Sequence, residues 1–339
     1  IWGATFLNFK GMKLSAFLSS SGAISGTIIP GIIIVIMGIV YVAMGKQISF
    51  DISMDAFIPD FGNLNQIMLL AGMLMSIAGM EMSAVHINEV ENPKKNYPKA
   101  ILISAIIIII LSVAASLSIA IVIPDKDLSL SAGVMQAFQY FFKTFNISWA
   151  TPILSFFLAY GIFTMAVTWM VGPSTGLLEV AKEGYLPKTW QKRNKQNMPV
   201  GILYVQGISS TILAFAVLFM PTVSSAFWLM SALAAQLYLI MYLFMFAAAI
   251  KLRYSQPDVK RSYKIPGGKT GMWIVSGMAW LASFFVIIFG FIPPQSVRGE
   301  GTMAIVGYVA FLLIGVTIFL GIPVIFFNIS KKKPNWKTS

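Results

Sequence analysis

Leu69-Leu70-Ala71-Gly72-Met73-Leu74-Met75-Ser76-Ile77-Ala78-Gly79-Met80-Glu81-Met82-Ser83-Ala84-Val85-His86 is an apolar run with two glycines, no aromatic residue and one carboxylate. Glu81 is the only ionisable side chain deep in any apolar span of the chain. A charge at membrane depth costs about 2.5–3.5 kcal/mol even on the lenient insertion scale, so Glu81 marks a candidate functional site. The blander alternative is a protonated acid hydrogen-bonded to a neighbouring helix.

The surrounding sequence makes that run one span among several. The chain of 339 residues is 57% hydrophobic and 11% charged, against about 45–50% and about 25% in a soluble domain. Apolar runs long enough to cross a bilayer recur at 22–44, 65–88, 99–123, 149–172, 200–220, 222–250, 271–293 and 303–327. The expected fold class is all-α and polytopic in the membrane.

The net charge of +12 invites a nucleic-acid reading, but its distribution gives another. If each span flips the side, segments 10–13, 94–99, 182–195, 251–269 and 331–337 share one face and carry twenty of the 24 basic residues. The positive-inside rule makes that face cytoplasmic, puts both ends of the chain there, and leaves no nucleic-acid partner to invoke. Six acids fall in the opposite loops and five on the basic side, leaving Glu81 alone in the membrane. The absence of cysteine excludes disulfides, thiolate metal sites and cysteine nucleophiles. The opening Ile1–Leu7 reads as the tail of an earlier span, so a longer protein is expected.

Gly72 and Gly79 punctuate the Glu81 span, and Ser76-Ile77-Ala78-Gly79 lies just before the acid. Glycine disfavours helix, and broken membrane helices are tolerated where their backbone lines a protein cavity. Close packing of two helices through small residues is the alternative. Thr164, Thr168 and Trp169 on the fourth span, and Ser231, Gln236 and Tyr238 on the sixth, extend the set that would line one path with Glu81. Taken singly, each is equally an interhelical hydrogen bond of about 0.6 kcal/mol. Residues 130–142 and the segment around Leu177–Tyr185 read as amphipathic helices, the latter ending near Gly184–Pro187. Gly172-Pro173 is expected to end the fourth span.

Gly268-Lys269-Thr270 is not a phosphate loop, since Tyr263 stands where a glycine is required. His86, the only histidine, is read either as a pH-sensing group with Glu81 or as an interfacial hydrogen-bonding residue. One glutamate and one histidine do not assemble a hydrolytic site, so no enzyme activity and no cofactor or metal is expected.

Several motifs, in order along the chain, resemble amino-acid–polyamine–organocation transporters, and more narrowly their glutamate:γ-aminobutyrate antiporter family. They are Gly79-Met80-Glu81, His86 to Glu89, Glu91-Asn92-Pro93-Lys94-Lys95-Asn96-Tyr97-Pro98, Ile121–Pro124, Leu130–Gln136, Trp169–Ser174, Ile265–Lys269 and Phe291–Pro294. The resemblance implies a twelve-span fold with two inverted five-span repeats, here incomplete. Residues 1–21 would be the end of span four and a cytoplasmic loop, and 22–44 span five. The second repeat would occupy 65–250, spans eleven and twelve 271–327, and a basic cytoplasmic tail 328–339. Without span one, which supplies half of the substrate site in this fold, the chain alone is expected not to transport.

By the same resemblance Ser76, Ile77, Ala78 and Gly79 match the unwound segment facing substrate, and Glu81 the carboxylate tied to proton sensing. Half-helix N-terminal dipoles suit a substrate carboxylate, and half-helix C-terminal ends suit an amine or a proton. The implied activity is pH-sensitive alternating-access exchange of an amino acid, glutamate-like, for its decarboxylated amine in a bacterial cytoplasmic membrane. Such a carrier works beside a cytosolic decarboxylase. Met165 and Thr175 stand where the glutamate exporters carry an acid and an arginine, and Phe227–Ala232 is bulkier than theirs. Tyrosine/tyramine or basic amino-acid exchange, and a proton-coupled permease of the same fold, are therefore the alternatives. A sensor that binds without transporting is another.

Overall fold

The computed structural model describes residues 1–50, 78–124, 127–129, 132–218, 223–261, 263–293, 297–298 and 301–337. With no water in a bilayer core, each spanning segment must satisfy its own backbone, and these segments do so as helices. In chain order the helices of the described residues are α1 (Trp2–Phe9), α2 (Met12–Ala23), α3 (Ile29–Ala43), α4 (Pro93–Val122) and α5 (Gly133–Thr144). Then follow α6 (Thr151–Val180), α7 (Val200–Val217), α8 (Val223–Ser255), α9 (Gly268–Gly290) and α10 (Thr302–Ser330).

Among the described residues six helical runs are long and apolar enough to cross a membrane: Met12–Ala43, Pro93–Val122, Ser148–Tyr185, Ala226–Ser255, Gly268–Gly290 and Thr302–Ser330. The expected span at 200–220 corresponds to α7, whose apolar part is shorter. Of the expected span at 65–88, residues 65–77 lie outside the described residues.

Two boundaries differ from the sequence reading. The first long run starts at Met12 rather than 22, passing from α2 to α3 through a wide turn at Ile24–Ile28. Serines lower the apparent hydropathy there, but Ser21 and Ser25 donate to carbonyls three and four residues back, and Ser15 donates to Asn8 Oδ1 of α1 at 2.7 Å. Their hydroxyls are thus satisfied within the protein. Gly172-Pro173 does not end the fourth span, because α6 continues through Pro173 to Val180. A membrane helix tolerates the single backbone acceptor that proline frees. It stops only after a further wide turn, Ala181–Tyr185, where Gly184 takes φ +94°.

Small residues set how closely the helices approach. A Cβ on Gly22 would overlap Thr164 Oγ1, and one on Gly26 would overlap Gly161 Cα, so the run from α2 lies backbone to backbone on α6. The α5 helix caps α3, α4 and α6 by burying Phe138 and Phe141 against Ile34, Tyr41, Val122 and Leu154. On the far side α8 packs along α9 and against α10, where Leu233 meets Tyr308 and Leu312. Between these groups a 3-10 segment, Met80–Glu89, touches both α6 and α4.

Candidate functional site

The glycine break puts Glu81 within reach of another helix. Gly79 adopts φ +109° and ψ −10°, a left-handed conformation open to glycine at little cost, and the chain then tightens into the 3-10 segment. Tyr238 and Tyr242, one turn apart on α8, aim both hydroxyls at the carboxylate. Tyr238 donates to Glu81 Oε1 at 2.6 Å and Tyr242 to Oε2 at 2.8 Å. The Gly79 N–H adds a 3.2 Å contact to Oε2 and a 3.3 Å contact to the Tyr242 oxygen. All three contacts on the carboxyl are donors. A deprotonated side chain accepts them all, whereas a protonated one must turn one oxygen into a donor.

Trp169 of α6 closes the cluster. Its ring meets Tyr238 edge-on, with centroids 6.0 Å apart and planes at 77°. A Cβ on Gly79 would stand 3.2 Å from the indole, so a side chain there would crowd the ring. Trp169 is itself held by Gln206, which donates to its backbone carbonyl at 3.3 Å. The break, Glu81, Trp169 and two tyrosines thus form one polar and aromatic site shared by three chain segments.

The sequence-predicted residues divide around this site. Ala78, Gly79, Glu81 and Trp169 are in it or beside it; Ser76 and Ile77 lie outside the described residues. His86 lies in the 3-10 segment. Thr164 and Thr168 turn towards α2 instead. Thr164 is buried against Gly22 and donates to the Gly161 carbonyl, while Thr168 Oγ1 lies 2.6 Å from Ser19 Oγ. Gln236 is buried facing α9, donating to the Ile287 carbonyl at 3.1 Å, with its Oε1 unpartnered among the described residues. Ser231 is exposed on α8. Tyr242 was missing from the sequence-predicted set, and Tyr238 was there only as a polar residue of its span. The available signal was two tyrosines spaced i, i+4, which share one helix face.

Comparison with known proteins agrees with this architecture. The amino acid permease family model matches residues 1–319. An uncharacterised transporter of Legionella pneumophila is 38% identical over 325 residues, covering 96% of this chain and 69% of the relative. A glutamate/gamma-aminobutyrate antiporter of Lactococcus lactis is 34% identical over 335 residues, covering 98% of this chain and 66% of the relative. A probable agmatine/putrescine antiporter from the same species is 25% identical over 280 residues, covering 81% and 59%. The chain belongs to the amino acid permease family: it is a multi-pass helical membrane protein of a transporter family, not an enzyme. It spans about two thirds of the length of the curated relatives it matches most fully.

Proposed function

We propose that the full-length protein exchanges an amino acid for its decarboxylated amine across a bacterial cytoplasmic membrane, glutamate for γ-aminobutyrate being the leading pair. The observation that carries this reading is the carboxylate of Glu81 held by Tyr238, Tyr242 and the Gly79 N–H beside the left-handed turn at Gly79. Proton uptake by Glu81 turns charge-assisted bonds into neutral ones, with the acid O–H donating to a tyrosine oxygen, and so weakens the hold on the Gly79 turn. Each bond to the charged form contributes about 1.5–3 kcal/mol, enough to bias a two-state carrier. The substrate pair draws on the 34% identity to glutamate/gamma-aminobutyrate antiporters over 98% of this chain. The basic asymmetry of the loops supports cytoplasmic chain ends. A cytosolic decarboxylase would consume the imported amino acid and regenerate the amine. On this reading Ser76, Ile77, Ala78 and Gly79 contact substrate, with Trp169 beside them.

A second reading, exchange of another amino acid and amine, is favoured by Met165 and Thr175 and by the similarity to an agmatine/putrescine antiporter. Counterflow into vesicles holding the full-length protein tests both. Labelled glutamate should enter only when an amine is preloaded, and a competition panel at acid and neutral pH ranks the pairs. Uptake independent of the preloaded amine would overturn exchange. Glu81→Gln should flatten the pH dependence of exchange, and an unchanged profile would remove Glu81 from proton sensing.

A further inference from the structure

The end of α10 and the turn after α6 border a cleft that shares no lining residue with the Glu81 site. α10 stops at Ser330, and the chain folds back through a short 3-10 turn, Pro334–Trp336, onto the Ala181–Tyr185 turn. Gln191 Nε2 donates to the Trp336 carbonyl at 2.8 Å. Lys337 runs 3.1–3.2 Å from where a Gly184 Cβ would stand, so the glycine lets the tail approach closely. Stacking of Tyr185 on Phe327 (centroids 5.9 Å apart) and packing of Trp190 on Phe326 (5.3 Å) fix the walls. The result is an open cleft of about 370 Å³ between two membrane-crossing runs.

The lining is basic. Lys331, Lys333 and Lys337 face one acid, Glu183, whose Oε2 lies 3.7 Å from Lys337 Nζ. Among the described residues no carboxylate pairs with Lys331 or Lys333. Lys331 Nζ sits 4.3 Å above the ring of Phe327, which also lines the cleft. Two surplus positive charges in a preformed cleft suit a phosphate ester. The adjoining surface distinguishes a lipid from free phosphate. Leu320, Val324 and Phe327 are exposed on α10 at 39%, 58% and 45%, spaced three or four residues apart on the face that ends at Lys331. An apolar strip running into a basic cleft at a helix end matches an acyl chain below a phosphodiester. Basic pockets between membrane helices are recognised sites for anionic headgroups.

We propose that this cleft binds the headgroup of an anionic phospholipid, with Lys331 and Lys333 on the phosphodiester and the acyl chain along the exposed face of α10. The proposal does not depend on which substrate is exchanged. It is tested by titrating delipidated full-length protein with phosphatidylglycerol or phosphatidylcholine and reading the first bound lipid by native mass spectrometry. Phosphatidylglycerol should bind more tightly than phosphatidylcholine. Lys331→Gln or Lys333→Gln should each weaken phosphatidylglycerol binding about fivefold, and the pair about thirtyfold. Both lysines are exposed, so the variants should fold, and replacing them with arginine should restore binding. Lys192→Gln with Lys195→Gln, an equal loss of charge elsewhere on the basic face, should leave binding unchanged. Equal binding of the two lipids, equal weakening by the control pair, or displacement of the lipid by inorganic phosphate would each overturn the assignment.

Discussion

The contact between Glu81 and Tyr238 makes a quantitative prediction. The 2.6 Å separation lies within the 2.5–2.7 Å range of a hydroxyl donating to a charged oxygen. A bond of that kind is worth about 1.5–3 kcal/mol. Neutral side-chain bonds between membrane helices average about 0.6 kcal/mol. In Glu81→Gln the amide oxygen still accepts from Tyr238, so the variant keeps a neutral bond and loses the charge-assisted surplus. A double-mutant cycle over Glu81→Gln and Tyr238→Phe should therefore return a coupling of about 1–2.4 kcal/mol. Phenylalanine preserves the edge-on contact with Trp169, so the cycle isolates the hydroxyl.

The matching cycle with Tyr242→Phe should give a smaller value. Tyr242 shares Oε2 with the Gly79 N–H, and that N–H still reaches the carboxylate when the hydroxyl is gone. Unfolding of the full-length protein in mixed micelles by SDS titration, followed by tryptophan fluorescence, supplies the four free energies of each cycle. A Tyr238 coupling below about 0.3 kcal/mol, or one smaller than that of Tyr242, would refute the carboxylate as the hub of this cluster.

Other positions answer to separate measurements. Gly79→Ala forces a side chain into φ +109°, a strain of about 1–3 kcal/mol, and crowds Trp169; counterflow should fall about tenfold. Gly26→Ala overpacks the seam with Gly161 and should cost about 1–3 kcal/mol in the same SDS titration, whereas Gly307→Ala, with nothing near its Cβ, should not destabilise. Gln236→Leu removes a buried oxygen that has no partner among the described residues; stability should hold and KM for the amino acid stay unchanged, a raised KM placing Gln236 on the substrate path.

The sequence and the structure agree where one physical rule dominates and part where two compete. Long apolar runs have one solution in a bilayer, so the helices from α4 onward overlap the runs that hydropathy picks out, although α6 runs on past its expected end and the apolar part of α7 is shorter. Met12–Ala23 escaped because its serines read as polar, while Ser21 bonds back to its own helix and Ser15 to Asn8 of α1. Pro173 misled in the opposite direction, since a breaker in water is tolerated in a packed membrane helix. At the site, Glu81 and the turn at Gly79 were legible because each violates an expectation, a charge and a glycine in an apolar run. Their partners violate nothing. A tyrosine in an apolar helix is ordinary, and only the rotation of α8 tells which polar residues face the acid. At 3.6 residues per turn, Gln236 lies about 200° around the helix from Tyr238, which sends it to α9, while Tyr242 lies only about 40° away. Ser231 lies about 20° from Tyr238 but about 10 Å along the axis. A substrate held between the break and α8 would thus meet the face that carries Ser231, Tyr238 and Tyr242. Sequence spacing supplies that face only after one residue on it has been anchored, and the bond from Tyr238 to Glu81 is the anchor.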